Sequence, residues 1–349
     1  MKKSFITFFL ISGLITVSTA VTAQTEGFTV RGTVNLPDGY EAGICCHTDT
    51  MYSVEVAHGT IKNGQFTLHG RHMEQPQPGT LMTNNMKLVS AKGWPVDSIR
   101  WTYTDIFLSN GEITVDKNFT ITGGQVQTDF NEWQKLKAAH TDKAVSAEEA
   151  FIASHPQSVI SVWLANDMLK RGYNLTKEQV EQLERTITSV PQDTARMSEF
   201  KKRIAFAKKT TKGGNLVDLE LEDINGSICH LTDIVPKNKY VLVDFWASWC
   251  GICIAAMPEI QRIAEQYKDK FAVIAVSIDT KREAWKAAME KHPEPWPQYV
   301  TTKNGYQDLF HKYQVGNGVP YYIMITPDGK VLNSPSHPKA VKEILDKYN

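Results

Sequence analysis

The sequence predicts an α/β fold for the C-terminal part of the chain, preceded by a small β-rich domain and a helical connector. Apolar and polar residues alternate between close turn signals over about residues 24–127, which is typical of β-strands. Apolar residues recur at helical spacing over residues 128–210. Continuous apolar runs alternate with helical segments over residues 211–349, as expected for a mixed sheet covered by helices.

The first 23 residues are predicted to be a signal peptide. Lys2 and Lys3 precede an apolar run from Phe5 to Val17, which is too short for a membrane span. The small residues of Val21-Thr-Ala23 predict cleavage after Ala23, and an uncleaved N-terminal anchor is the alternative. No later stretch reaches about 18 apolar residues, so we expect a soluble protein of the periplasm.

The β-rich segment is predicted to be a small sandwich or barrel. The run Phe28–Val34 alternates apolar and polar residues, as a half-buried strand does. The dipeptide Asn63-Gly64 is a strong hairpin signal, and Asn110-Gly111 precedes a further short strand. Turn signals that recur at such short spacing indicate several antiparallel strands.

The connector is predicted to be helical. Val159, Trp163 and Met168 fit one stripe of a helix that follows a His-Pro dipeptide. Thr176 and Gln179 have the spacing of a capping box, in which each side chain bonds the other residue's backbone N–H. A further helical stretch is predicted from Pro191 onward, and a Gly-rich linker then leads into the last domain.

The C-terminal domain is predicted to alternate strands and helices. The apolar runs indicate buried strands, the amphipathic segments indicate helices, and a Pro-Asp-Gly turn indicates a hairpin. In chain order, the predicted elements are Tyr240–Trp246, Cys250–Tyr267, Phe271–Ile278, Arg282–Lys291, Tyr321–Thr326, Lys330–Leu332 and Pro338–Tyr348.

Charge and cysteine content exclude several classes of protein. The 38 basic residues balance the 38 acidic ones, which argues against a nucleic-acid binder or a polybasic membrane binder. Five cysteines in 349 residues are too few for a disulfide-dense scaffold, and the number is odd. The ten histidines have no metal-ligand spacing, so no metal or organic cofactor is predicted.

The chemistry is predicted to lie at Cys250 and Cys253, because two cysteines at i and i+3 face each other at the start of a helix. The helix N-terminus favours an anion, so Cys250 is predicted to be the attacking thiolate and Cys253 the resolving thiol. A zinc site would need four ligands, and the adjacent Cys229 and His230 would point apart. Haem attachment would need histidine where Ile254 stands, and a purely structural disulfide remains an alternative to an exposed redox ring.

The run Val243–Cys253, VDFWASWCGIC, resembles the active-site signature of thioredoxins. Together with the predicted signal peptide and the hairpin at Asp223–Gly226, it is most similar to the exported, TlpA/ResA-type thiol-disulfide oxidoreductases. The resemblance covers about residues 216–349 and implies a thioredoxin-like fold. The β-rich segment resembles an uncharacterised N-terminal module found ahead of such domains in some Gram-negative bacteria, and this implies no chemistry.

The resemblance also implies roles for individual residues. Asp244 matches a buried carboxylate that exchanges a proton with Cys253, and burial is expected to raise its pKa. Val319-Pro320 matches a cis-proline step that lies against the dithiol and leaves the Val319 backbone free to pair with an extended substrate. Trp249 is expected at the rim of the dithiol, with Trp246 beneath it.

Two departures from the family pattern stand beside these matches. Many exported relatives carry Glu where this chain has Ala256, and the dipeptide Gly251-Ile252 lacks the usual proline.

The other cysteines are predicted to take no part in turnover. Cys45 and Cys46 are adjacent, would point apart in a strand, and are expected to be two small buried hydrophobic residues rather than an electron relay. Cys229 is expected to be a plain strand residue.

The predicted function is that of a periplasmic thiol:disulfide oxidoreductase, and analogy with the exported relatives favours reduction over oxidation. Its expected partners are disulfide-containing proteins and an upstream thiol electron donor, for which a membrane-bound protein is one option. Nucleic acid is not an expected partner. A peroxiredoxin-class thiol peroxidase is one alternative, but it would need threonine where Ala247 stands. The other alternative is a non-enzymatic binding protein with an idle dithiol.

Overall fold

In the computed structural model, the described residues are 27–47, 53–141, 145–170, 172–187, 195–312 and 318–348. The predicted signal peptide and the predicted helix start at Pro191 lie outside them. The chain divides into two compact units, with the boundary between Gln127 and Thr128. Within the described residues, no helix has both the length and the apolar character that a membrane crossing requires.

The first unit contains two four-stranded sheets. One sheet has the order β4-β1-β7-β8 and the other has the order β3-β2-β5-β6. The strands are β1 (Phe28–Thr33), β2 (Glu41–His47), β3 (Ser53–Thr60), β4 (Gln65–Gly70), β5 (Gln77–Asn84), β6 (Trp101–Leu108), β7 (Gly111–Val115) and β8 (Ile121–Thr122). A short helix, α1 (Met86–Lys92), and a single 3₁₀ turn (Val96–Ser98) join β5 to β6.

One apolar core lies between these two sheets and includes Val30 and Leu68 of the first sheet and Ile44 and Ile106 of the second. This arrangement is a sandwich, one of the two predicted forms. Asn63-Gly64 forms the turn ahead of β4, with both residues at positive φ, as the hairpin signal predicts.

The helices that follow, within the described residues, are α2 (Gly124–Ala139), α3 (Ala147–Ser154), α4 (Val159–Met168), α5 (Lys177–Ile187) and α6 (Ala195–Ala207). The predicted capping box begins α5, because the Gln179 backbone N–H donates to Thr176 Oγ1 at 3.2 Å and the Thr176 N–H donates to Gln179 Oε1 at 2.9 Å. Ser146 and Glu149 form a second capping box at α3, which the sequence analysis does not predict.

The predicted stripe of α4 is wrong although the helix is present. Its fully buried side chains include Ile160, Leu164 and Ala165, whereas Trp163 is only partly buried and packs edge-on against Phe130. The helix is apolar on nearly all sides, so spacing alone does not identify the face that packs into the core.

The remaining chain forms a seven-stranded mixed sheet of order β10-β9-β13-β12-β11-β14-β15. Strands β11, β12 and β13 run parallel to one another, and the other neighbouring pairs are antiparallel. The strands are β9 (Glu220–Glu222), β10 (Ile228–His230), β11 (Tyr240–Trp246), β12 (Phe271–Ser277), β13 (Gln298–Thr301), β14 (Tyr321–Ile325) and β15 (Val331–Asn333). The helices are α7 (Leu231–Ile234), α8 (Gly251–Gln266), α9 (Arg282–Lys291), α10 (Lys303–Lys312) and α11 (Pro338–Lys347).

This sheet and its helices form the predicted α/β pattern, with three additional elements. The predicted strands and helices are all present within a few residues of their expected ends. The additional elements are α7, β13 and α10. The helix α7 and the strand β13 are only four residues long, and β13 follows a Pro-Glu-Pro-Trp-Pro segment that resembles a loop.

The second unit includes both the predicted connector and the α/β domain. Tyr173 belongs to the same apolar core as β11 and β12. The Val217 backbone N–H donates to the hydroxyl of Tyr173 at 2.7 Å. A separate domain boundary near residue 210 remains a prediction.

Candidate active site

The paired cysteines lie where β11 leads into α8. Cys250 is the N-cap residue of this helix, and its Sγ accepts a hydrogen bond from the Cys253 backbone N–H at 3.2 Å. The two sulfur atoms are bonded as a disulfide. Because the first turn of a helix has backbone N–H groups without partners, the same position stabilises a thiolate on Cys250 once the bond is reduced.

The two cysteines are less exposed than the sequence analysis predicts. Cys250 is 4% exposed and Cys253 is 2% exposed, whereas Trp249 and Ile252 are 67% and 70% exposed. The predicted exposed ring is therefore a nearly buried ring beside two exposed apolar side chains. Trp249 is predicted at the rim, whereas Ile252 is not predicted there. The sequence does contain a signal for Ile252, because it is an apolar residue between the two cysteines.

The Val319–Pro320 peptide bond is cis, as the resemblance implies. The carbonyl oxygen of Val319 lies 3.5 Å from the Sγ of Cys250, so this step borders the dithiol. The hydroxyl of Tyr321, the next residue, donates to the carbonyl oxygen of Gly172 at 3.2 Å. The helical segment before the α/β domain thus anchors the strand that follows the cis-proline, which the sequence analysis does not predict.

Asp244 lies in the middle of the sheet, on β11, between Tyr322 of β14 and Ala275 of β12. It is 2% exposed, and its Oδ1 has no hydrogen-bond partner among the described residues. Burial, and secondarily the negative charge of Glu294, raises the pKa of Asp244 to about 7. This agrees with the predicted direction, and it makes Asp244 a carboxyl group able to hold or release a proton near neutral pH.

The loop that carries Trp249 is fixed by a side chain that sequence analysis misses. The carboxylate of Asp279 accepts hydrogen bonds from the backbone N–H of Ser248 at 2.8 Å, from the hydroxyl of Ser248 at 2.7 Å and from the hydroxyl of Ser277 at 2.7 Å. These bonds tie the loop before Cys250 to the end of β12. The sequence does contain a signal for Asp279. The segment Ser277–Asp279 stands at the carboxyl end of a buried strand, where the binding sites of α/β sheets are commonly found.

The other predicted bystanders lie elsewhere. Cys46 is buried in the first unit, but Cys45 is only partly buried, which corrects the prediction that both are buried. Cys229 lies on β10 and is also partly buried. No group of three or more potential metal-ligating side chains occurs in the part of the chain that the structure describes.

The arrangement combines the parts that thiol–disulfide exchange needs. It has a sulfur at a helix N-terminus, a second sulfur one turn later and a buried carboxyl group that titrates near neutral pH. A peptide carbonyl borders the first sulfur. Such a site can form a mixed disulfide at the first sulfur and resolve it from the second.

Comparison with known proteins agrees with this geometry. Residues 238–331 match the sequence model of the thioredoxin-like family. This segment includes β11, α8, both cysteines and the cis-proline step. The C-terminal region is therefore a thioredoxin-like domain, preceded by a β-rich region and helices.

Individual relatives match only this part of the chain. A thioredoxin from Acidithiobacillus ferridurans is 38% identical over 69 residues, which are 20% of this chain and 54% of that protein. The thioredoxin-like protein YneN from Bacillus subtilis is 37% identical over 67 residues, which are 19% of this chain and 38% of that protein. The chain thus spans about half the length of the known relatives that it matches.

Among solved structures, the thioredoxin domain of a thiol-disulfide oxidoreductase from Bacteroides vulgatus is similar to this chain. It has a TM-score of 0.36 and 29% sequence identity, and the match covers 39% of this chain and 96% of that domain.

Proposed function

We propose that this protein is an exported thiol:disulfide oxidoreductase that reduces disulfides of other proteins through Cys250 and Cys253. The observation that carries the proposal is the Cys250–Cys253 disulfide at the start of α8, with Cys250 bordered by the Val319 carbonyl. The buried carboxyl group of Asp244 in the adjoining strand supports it.

The exchange has two steps. The thiolate of reduced Cys250 attacks one sulfur of a substrate disulfide, a mixed disulfide forms, and the other substrate sulfur leaves as a thiolate that takes up a proton. Cys253 then transfers its proton to the carboxylate of Asp244 and attacks the Sγ of Cys250. The intramolecular disulfide forms, the mixed disulfide breaks, and the two electrons leave with the substrate. A thiol donor must then reduce the Cys250–Cys253 bond for the next turnover.

The substrate is proposed to bind across the exposed apolar side chains beside the cysteines. Trp249 and Ile252 offer apolar surface at the entrance. The backbone of Val319 offers hydrogen-bonding groups to an extended peptide segment, in the way that an added strand pairs with a sheet edge. This arrangement favours flexible or partly unfolded proteins, whose apolar segments and disulfides are both accessible.

The proposed location is the periplasm, supported by the predicted signal peptide and by the persistence of disulfides outside the cytoplasm. The reducing direction rests on analogy with the exported relatives. The proposed electron donor is a thiol protein upstream, with a membrane-bound donor as one option.

The proposal is tested by trapping substrates in cells. In Cys253→Ser, the mixed disulfide on Cys250 cannot be resolved from within, so we expect adducts that disappear on treatment with dithiothreitol. The matched control is the double variant Cys250→Ser/Cys253→Ser, which has no sulfur at either position and should trap nothing. Gels of acid-quenched cell envelopes measure both. Equal, thiol-insensitive patterns for the two variants would reject the proposed function.

A further inference from the structure

Glu294 lies in the short segment between α9 and β13, outside every motif that the sequence analysis identifies. Prolines stand on both sides of it, at positions 293 and 295, with a third at 297. Because proline fixes its own φ and restricts the residue before it, Glu294 is held in a stiff stretch of backbone. A stiff backbone holds a carboxylate in one place at low entropic cost.

The register of the sheet places this proline segment at the same height along the strands as Asp244. Asp244 of β11 pairs with Ala275 of β12, and the Ala275 backbone N–H donates to the carbonyl oxygen of Pro297 at 3.1 Å. The indole Nε1 of Trp246 reaches across β12 and donates to Oε1 of Gln298 at 3.2 Å.

The proline segment also lies on the same face of the sheet as the Asp244 side chain. Since residues two apart in a strand share a face, the Trp246–Gln298 bond lies on the face that bears the Asp244 side chain. A surface hollow of about 580 Å³ is lined by Pro295–Pro297 together with residues of α8 between Gln261 and Glu265. The proline segment therefore lies on the α8 side of the sheet.

Two carboxyl oxygens in this region are buried without a hydrogen-bond partner among the described residues. They are Oδ1 of Asp244 and Oε2 of Glu294. Asp244 is fully buried, whereas Glu294 keeps part of its side chain in contact with solvent. Because burial penalises the charged form, a carboxyl group that keeps some contact with solvent carries charge more readily than a fully buried one.

We propose that Glu294 is a positioning residue of the dithiol site, whose charge sets the proton affinity of Asp244 and thereby the pH at which Cys253 can attack. The inference rests on the proposed function. Repulsion from ionised Glu294 keeps the proton on Asp244 to higher pH, so Asp244 becomes a free base only as the pH passes neutrality. When Cys253 is deprotonated, its proton goes to Asp244, and the attacking sulfur then bonds to Cys250.

A second titratable side chain faces Asp244 across the sheet. Tyr322 faces it from β14, and burial, with smaller contributions from Asp244 and Glu259 of α8, raises the pKa of this tyrosine. Tyr322 therefore stays neutral over the pH range in question. Burial also raises the pKa of Glu294 itself. Burial is the larger cause of the raised pKa of Asp244, and among the described residues Glu294 is the charged group that adds to it.

The test is the pH profile of the resolving step in Glu294→Gln, which has nearly the same shape but no charge. The rate at which the full-length, reduced protein reduces a model disulfide in a single turnover is measured from pH 5 to 9. We expect the inflection due to Asp244 to move down by roughly one pH unit, the scale of a like charge removed from a site of low effective dielectric. A profile that superimposes on that of the wild type would overturn the proposal.

Two variants separate charge from structure. Glu294→Asp keeps the charge and should keep the wild-type inflection, whereas a structural role would make it resemble Glu294→Gln. Glu290→Gln removes an exposed charge four residues earlier and should leave the profile unchanged. An inflection that moves equally in Glu290→Gln and Glu294→Gln would count against a specific role.

A direct titration does not depend on any variant of Glu294 or on turnover. The side-chain carboxyl carbons of Asp244 and Glu294 are followed by NMR in the wild-type protein, with Asp244→Asn to assign the first signal. Coupled groups titrate as a pair, so each carbon should report both inflections. Two independent single inflections would overturn the proposal, even if the protein proved to be an active oxidoreductase. Conversely, coupled titration in a protein without exchange activity would reject the proposed function alone.

Discussion

The chain contains two close pairs of cysteines, and their surroundings differ in almost every respect. Cys250 and Cys253 are three residues apart at the start of α8, and their sulfurs are bonded. Cys45 and Cys46 are adjacent in β2, and both are free thiols. Cys46 points into the core that also holds Ile44, so its neighbour points to the opposite face of the strand.

The electrostatic surroundings of the two pairs are also opposite. The sulfur of Cys250 accepts a backbone N–H at a helix N-terminus, which stabilises negative charge. Burial, with a smaller contribution from the carboxylate of Glu55, raises the pKa of Cys45. Burial, followed by Cys45, raises the pKa of Cys46. Proximity in sequence therefore does not make a redox pair. The spacing must match the local backbone, and the site must favour a thiolate.

The largest expected effect separates the two pairs by function. Cys250→Ser removes the attacking sulfur and should lower the rate of disulfide reduction by about a thousandfold or more, because the remaining Cys253 lacks the N-cap position that stabilises a thiolate. Cys45→Ser should leave that rate within about twofold of the wild type. A coupled assay of disulfide reduction measures both variants. Comparable losses in the two would mean that Cys45 takes part in turnover as an electron relay.

The next largest effect is the pH dependence of folding stability that the buried carboxyl group of Asp244 causes. The pKa of Asp244 is about 7 in the folded protein, against about 3.9 for an unfolded chain. Between these values the folded state binds the proton and the unfolded state does not. The free energy of unfolding should therefore fall as the pH rises from about 4 to about 7, by as much as about 4 kcal/mol, and level off above that range.

Asp244→Asn cannot titrate and should lose this pH dependence, so its stability relative to the wild type should grow from pH 4.5 to pH 8. Urea unfolding of the oxidised proteins at several pH values measures the difference. Asp233→Asn is the matched control, because Asp233 is exposed on α7 and the same change there should shift both ends of the range equally. Parallel stability curves for Asp244→Asn and the wild type would show that Asp244 keeps an ordinary pKa.

The contrast between the pairs also shows how much the sequence could reveal. The strand Tyr240–Trp246 and the helix after it follow from apolar patterning, and the Cys-x-x-Cys spacing identifies the dithiol without coordinates. These features are local, since each depends on residues within one or two turns of the chain.

The features that the sequence analysis misses are formed between distant segments. Asp279 anchors the loop of Ser248 from the end of another strand, and Glu294 reaches the level of Asp244 only through the register of β11, β12 and β13. The burial of Cys250 likewise depends on the Val319 loop that borders it. Without a homologue alignment or coordinates, no local pattern specifies such pairings.

The smallest expected effect is the loss of stability on replacing Cys46, the buried member of the other cysteine pair. Cys46 is 2% exposed in the core of the first unit, where it acts as a small apolar side chain. Cys46→Ser puts a hydroxyl group among apolar neighbours, so it should lower the free energy of unfolding of this unit by roughly 1–3 kcal/mol. Cys45→Ser, at the partly buried neighbour, is the matched control and should cost less. Urea unfolding measured together with disulfide-reduction activity gives both readouts. Cys46 is a structural residue if its replacement changes stability and leaves activity intact, which is the reverse of the outcome expected for Cys250. A loss of activity without a loss of stability would instead place Cys46 in the electron path.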